Sequence, residues 1–119
     1  MIELDGNVYE CAIEIPLDIV DDKWKFLILW NLSFKPLRIT ELASKIPDTS
    51  SRTITRKIKS LEKATLIERI VYPELPPRVE YRLTSFGKEL LEVFDFMEKW
   101  GYKYAKAKGA KIESCHKQS

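Results

Sequence analysis

The chain has 119 residues, 45% of them apolar and 32% charged, with a formal net charge of +2. That size suits one folded unit with one core and is too small for two ordinary domains. The longest apolar run, around Phe26 to Leu32, falls far short of the roughly 20 residues a membrane span needs, and the acidic N-terminus does not resemble a secretion signal. The expectation is a soluble, cytoplasmic protein with no membrane partner, its two cysteines, Cys11 and Cys115, being thiols at rest.

The small net charge hides a division. Residues 1 to 22 carry seven acids and no base, so the remaining 97 residues hold 20 bases against 11 acids. Field and patch rather than net charge steer association, which makes the body of the chain a candidate polyanion partner.

In chain order, residues 1 to 15 lack a clear period, although Val8 to Ile15 alternates well enough for a short strand or an irregular arm. Pro16 suits a first helical turn. Leu17, Ile19 and Val20 then lead into KWKFLILWNL, where Trp24, Leu27, Ile28 and Leu32 share a helical face that Phe26, Leu29 and Trp30 widen. N-terminal and core helices are therefore expected within 16–32. Ser33 to Leu37, with Pro36, reads as a loop, after which Thr40 is placed to cap a helix carrying Leu42, Ala43 and Ile46.

Pro47-Asp48-Thr49-Ser50 is a tight turn by composition, with Ser50 or Asp48 placed to cap the next helix. From there Ile54, Ile58 and Leu61 share one helical face, while Arg52, Arg56, Lys59 and Lys63 line the opposite one. Thr49 to Leu61 contains four bases and no acid, whereas a solvated helix face usually mixes both signs. Helix, short turn and basic helix over 38–63 form a helix-turn-helix pattern.

Leu66 to Tyr72 is β-branched and aromatic enough for a strand, and Val79 to Thr84 alternates apolar with polar residues. Pro73, Pro76 and Pro77 cannot donate to a ladder and belong in the connection, which makes 66–84 a wing. A last helix over 85–106 is apolar on more than one face. Leu90, Phe94, Met97, Trp100 and Tyr104 exceed what one small core covers and are assigned to a homodimer interface. Residues 107–119 read as a flexible basic tail.

The chain resembles the HxlR-type winged-helix transcriptional regulators from Cys11 to Gly101. The resemblance is carried by Cys11, Lys23-Trp24 with Ile28-Leu29, Arg38-Ile39 with Glu41-Leu42, and Ser51 opening a basic helix. It continues through Leu61-Glu62, Glu68-Arg69, the wing from Tyr72 to Tyr81, Leu83-Thr84 with Gly87, and Trp100-Gly101. It implies a mostly α fold with a small β hairpin, an α+β winged helix-turn-helix, dimeric through terminal helices and bound to palindromic double-stranded DNA. Asp22 and Thr65 depart from it, each standing where glycine is usual. A threonine is unfavourable in a left-handed conformation, which leaves open how the basic helix ends here.

In that geometry the start of the recognition helix enters the major groove. Ser51, Arg52, Thr55 and Arg56 are then base-edge candidates, and Lys57 and Lys59 phosphate candidates. Arg38 is a further phosphate candidate. Arg78, at the end of the wing connection, either reaches DNA or pairs with Glu74 or Glu80. Cys11 reads on its own as a small apolar packing residue; the resemblance implies a redox or electrophile sensor in some members.

An enzyme reading finds no glycine-rich phosphate loop and no Ser, His and Asp constellation with spacing logic. Two cysteines 104 positions apart and the single His116 match no zinc pattern, so neither metal nor cofactor is expected. The competing reading is a winged-helix module for protein contact; a lysine-bearing helix face argues against it, because interface cores are depleted in lysine.

Overall fold

Asp5 and Gly6 both have positive φ, 49° and 82°. Two consecutive residues of that kind match the twist of a tight hairpin, and they join β1 (Ile2–Leu4) to β2 (Asn7–Tyr9) in antiparallel register, Ile2 opposite Tyr9. This arm was expected only as a short strand or irregular segment from Val8 onward. In the structure, a computed structural model that describes residues 1–113, pairing stops at Tyr9 and Glu14 opens a helix.

Four helices come next in sequence: α1 (Glu14–Ile19), α2 (Lys23–Leu32), α3 (Ile39–Lys45) and α4 (Ser51–Lys63). The core forms where three of them meet. Ile28 and Leu29 of α2, Leu42 of α3, and Ile54 and Leu61 of α4 are each fully buried, with Ile58 almost so. Helix α3 starts one residue before the expected cap at Thr40. Arg38 holds the cap position, and the Glu41 carboxylate accepts from the Arg38 backbone N–H at 2.9 Å, half of a capping box. Ser50 caps α4, its hydroxyl accepting from the Thr53 N–H at 3.2 Å.

The wing is β3 (Ile67–Tyr72) paired antiparallel with β4 (Arg78–Leu83). Its base belongs to the core through Ile67, Tyr81 and Leu83, while Glu68 and Arg82, directly opposed, form a cross-strand ion pair at 2.6 Å. Leu37 adds one rung that the sequence had left in a loop: it donates to and accepts from Tyr81 at 3.1 and 2.8 Å. That rung ties the entry of α3 to the wing.

Thr65 keeps the left-handed conformation usual for glycine, at φ 61°. The helix end is a Schellman motif, with the Leu66 N–H donating to the Leu61 carbonyl at 3.1 Å and the Thr65 N–H to the Glu62 carbonyl at 2.9 Å. The Thr84 hydroxyl holds the strained residue by donating to its carbonyl at 2.6 Å. A β-branched residue costs about 1–2 kcal/mol in this region. Thr65→Gly is therefore expected to raise stability by about 1 kcal/mol, read as a higher urea midpoint at unchanged slope.

The last helix, α5 (Ser85–Ala107), begins at Thr84, whose hydroxyl accepts from the Gly87 N–H at 3.3 Å. Gly87 lies against the Leu66 carbonyl so closely that any Cβ would strike it. The helix ends in a second left-handed cap, with Gly109 at φ 78° and the Ala110 N–H donating to the Ala105 carbonyl at 2.9 Å. Residues 107–113, expected as the start of a flexible tail, thus begin with a closed helix end, and Ile112 turns back toward Gly101 and Ala105. The remainder of that expected tail, with Cys115 and His116, lies outside the described residues.

Candidate nucleic-acid interface

With Ile54, Ile58 and Leu61 turned into the core, the opposite side of α4 necessarily faces outward. Arg52, Arg56, Lys59 and Lys63 are all exposed there and take part in no ion pair among the described residues. A row of cations that makes no ion pair among the described residues is a surface that binds phosphate. Ser51 is exposed at the head of the helix. Thr55 flanks the row half-buried, its hydroxyl donating to the Ser51 carbonyl at 2.7 Å. Arg38 is exposed at the start of α3, likewise without an ion pair among the described residues.

Lys57 is a correction. At helical spacing it lies only about 60° from the buried face, and its ammonium is bound to the Asp22 carboxylate at 2.6 Å and sits 5.6 Å from the centre of the Trp24 ring. It fastens α4 to the start of α2 rather than facing a phosphate. Asp22, one of the two departures from the usual glycine, does two jobs: its other oxygen caps α2 by accepting from the Lys25 N–H at 2.8 Å.

Burial alone would raise the Asp22 pKa. The hydrogen bonds from Lys57 and the Lys25 N–H, with the charges of both lysines, outweigh it and hold the carboxyl below its ordinary value. A carboxyl lowered by folding adds stability that is complete above the unfolded value of about 3.9 and is lost as pH falls through the folded value. Asp22→Asn keeps the cap and removes the charge, so it is expected to cost about 1 kcal/mol at neutral pH. In urea titrations, the gap from wild type should close as the solution is acidified below that range.

The wing presents Leu75 at its tip, 98% exposed. Arg78 is not free to lead it: its guanidinium meets Glu74 at 3.3 Å and lies 4.0 Å from the Tyr72 ring centre. Of the two pairings open in the sequence, Glu74 is the one made. Tyr72, Glu74 and Arg78 brace the hairpin from within.

Two residues assigned to a dimer interface also serve the subunit's own core. Phe94 meets Phe26 edge-on at 5.1 Å, and Leu90 packs half-buried beside it. Met97, Trp100 and Tyr104 remain exposed, and with Phe86 and Val93 they continue one apolar stripe along α5, every member at least half exposed. Ile13 and Leu17 add exposed apolar surface at α1. The assignment missed Phe86 and Val93, although their spacing from Leu90 and Met97 carries the signal. Cys11 is a free thiol and is exposed in the single chain.

Residues 19–109 match the model of the HxlR-like helix-turn-helix family. The chain belongs to that family. An HTH-type transcriptional regulator of Methanothermobacter thermautotrophicus is 39% identical over 102 residues, covering 86% of this chain and 78% of that protein. Among solved structures, a regulator from Enterococcus faecalis described as of the MarR family superposes with a TM-score of 0.79 at 29% identity, covering 89% of this chain and 96% of that one. The reduced form of the Bacillus subtilis transcriptional regulator YodB gives 0.75 at 31% identity, covering 83% and 98%, and that protein is also solved after diamide treatment. This HxlR-like protein is a helix-turn-helix transcriptional regulator with a winged-helix fold, a class of DNA-binding proteins and not of enzymes. Among the described residues no helix is long and apolar enough to cross a membrane, and no group of three or more His, Cys, Asp or Glu is placed to hold a metal.

Proposed function

We propose that the chain acts as a homodimer that reads a palindromic operator in duplex DNA. The observation that carries this is the row Arg52, Arg56, Lys59 on the outward side of α4, unneutralised among the described residues. Ser51, Arg52, Thr55 and Arg56 sit at the leading end and are assigned to base edges, the arginines being suited to guanine; Arg38 and Lys59 are assigned to phosphates. Lys57 and Arg78 are left out because each is held within the protein. A protein-contact module would have to desolvate the same cations against a partner, which interfaces avoid.

The dimer reading rests on the α5 stripe. In an antiparallel pair centred on the level of Asp95, Phe86 meets the second copy's Tyr104, Leu90 its Trp100, and Val93 its Met97. The stripe is therefore self-complementary, as a two-fold interface requires. Binding of duplex DNA should weaken steeply with salt, at about −0.9 in log K against log salt for each phosphate neutralised. Two copies of Arg38 and Lys59 alone give a slope of about −4, measurable by fluorescence anisotropy. A slope near zero would remove the DNA reading.

Cys11 supports a second, regulatory reading. It is exposed at the approach to α1, just ahead of the exposed Ile13, and oxidation there would change how the subunits hold DNA. Diamide should release wild-type protein from its operator and leave Cys11→Ser bound, with Cys115→Ser behaving as wild type. Unchanged binding in all three would place regulation elsewhere.

A further inference from the structure

A groove of about 720 Å³ opens between the end of α2, the loop that follows it, the base of β4 and α5. Its lining is largely apolar: Leu32 and Leu83 are buried, Leu91 is half-buried, and Phe34, Pro36 and Phe96 stand nearer the solvent. Phe34 and Phe96 are 51% and 72% exposed, so each leaves ring surface uncovered, and Trp30 braces Phe34 edge-on at 5.0 Å. A mostly apolar cleft of this size with a few polar groups is the usual form of a small-molecule site.

The polar groups here are charged. Arg82 donates from Nε to Glu68 at 2.6 Å and Asp95 is engaged by Lys99 at 3.0 Å, whereas Lys35, Lys88 and Glu92 make no ion pair among the described residues. With the two outside partners Glu68 and Lys99 included, four cations face three acids, an excess of one positive charge. A single anionic head on an apolar body matches that balance; a cationic or doubly charged ligand does not.

The groove is left open by both surfaces already assigned. Leu91, Asp95 and Lys88 stand roughly 140–200° around α5 from Phe86 of the apolar stripe, and among the described residues none of α4 lines it. It nevertheless adjoins what positions those surfaces. Pro36 and Arg82 are the chain neighbours of Leu37 and Tyr81, whose rung ties the entry of α3 to the wing, and its other wall is α5 itself.

We propose that this groove binds a small amphipathic monoanion, a flat ring system bearing one carboxylate, as an effector. The ring lies against Phe34, Leu91 and Phe96, and the carboxylate is taken by the unpaired lysines, Lys35 and Lys88. Bound there, the ligand bridges the junction of α3 and wing to α5, and so biases how the helix-turn-helix is held. The site stands on its own; its effector role rests on the operator reading. By linkage, ligand and operator then change each other's affinity by the same factor.

The probe is 2-naphthoate, with 2-naphthylmethanol as its uncharged counterpart, added to ¹⁵N-labelled full-length protein. Saturable amide shifts at millimolar concentration or below, centred on residues 32–36, 82–83 and 88–96, are expected. Lys35→Gln with Lys88→Gln should weaken naphthoate about tenfold and leave the alcohol unchanged, while Phe96→Ser should weaken both. All three side chains are exposed, so circular dichroism should match wild type. Absence of saturable binding, shifts centred elsewhere, or equal loss of acid and alcohol in the lysine variant overturns the site. With the groove filled, the operator dissociation constant should change by about fivefold or more; no change overturns the effector role and leaves the site. A protein that binds no DNA overturns the operator reading and the effector role with it, while the amide shifts still decide the groove.

Discussion

Replacing both leading arginines, Arg52→Ala with Arg56→Ala, is expected to lower operator affinity by about 1 to 3 kcal/mol for each, roughly thirtyfold to ten-thousandfold or more together. Stability should barely move, because both side chains are exposed and contribute no ion pair among the described residues. The loss should be far smaller on random duplex, since a base contact is made only at the matching sequence. Lys59→Ala should behave differently, weakening all sequences alike and reducing the salt slope by about 1 per phosphate lost. Equal losses on operator and random DNA for all three residues would remove the base-contact assignment while leaving DNA binding in place.

The second large effect is expected from Met97→Asp. Met97 is 55% exposed and stands near the middle of the self-complementary stripe, so the variant keeps its fold but places two carboxylates in an apolar seam close to the dyad. An unpaired charge buried there costs several kcal/mol per ion, more than the seam at this level returns. Light scattering should show wild type as a dimer and the variant as a monomer at micromolar concentration. Operator affinity should fall with it, because each copy then holds one half-site alone. A variant that stays dimeric would move the interface off this stripe.

The helix-turn-helix and wing were legible because each rests on a local pattern. Ile54, Ile58 and Leu61 repeat at helical spacing, the cations repeat opposite them, and three prolines can sit only in the wing connection. Lys57 was misread because its partner, Asp22, is 35 residues away, and spacing alone does not reveal which side of a buried face meets another helix. Leu37 is the same case in a strand, its pairing with Tyr81 being non-local. Leu90 and Phe94 belong to an apolar surface wide enough for two partners, and only packing against Phe26 shows which part the subunit takes for itself. The β1–β2 arm is different: Asp5-Gly6 is a strong local hairpin signal, and it stands in the sequence ahead of the segment where a strand was expected. Thr65 shows that the Schellman geometry outweighs a poor residue when two backbone hydrogen bonds and the Thr84 hydroxyl fix it.

Selection of bound fragments from random duplex DNA tests the central claim most directly, that a two-fold pair of α4 helices reads sequence. The expected result is one palindrome, its half-sites centred about one helical turn or roughly 34 Å apart, or a multiple of that, with guanine contacts that weaken when Arg52 or Arg56 is replaced. Recovery of no shared sequence, or of a single unrepeated half-site, would contradict it.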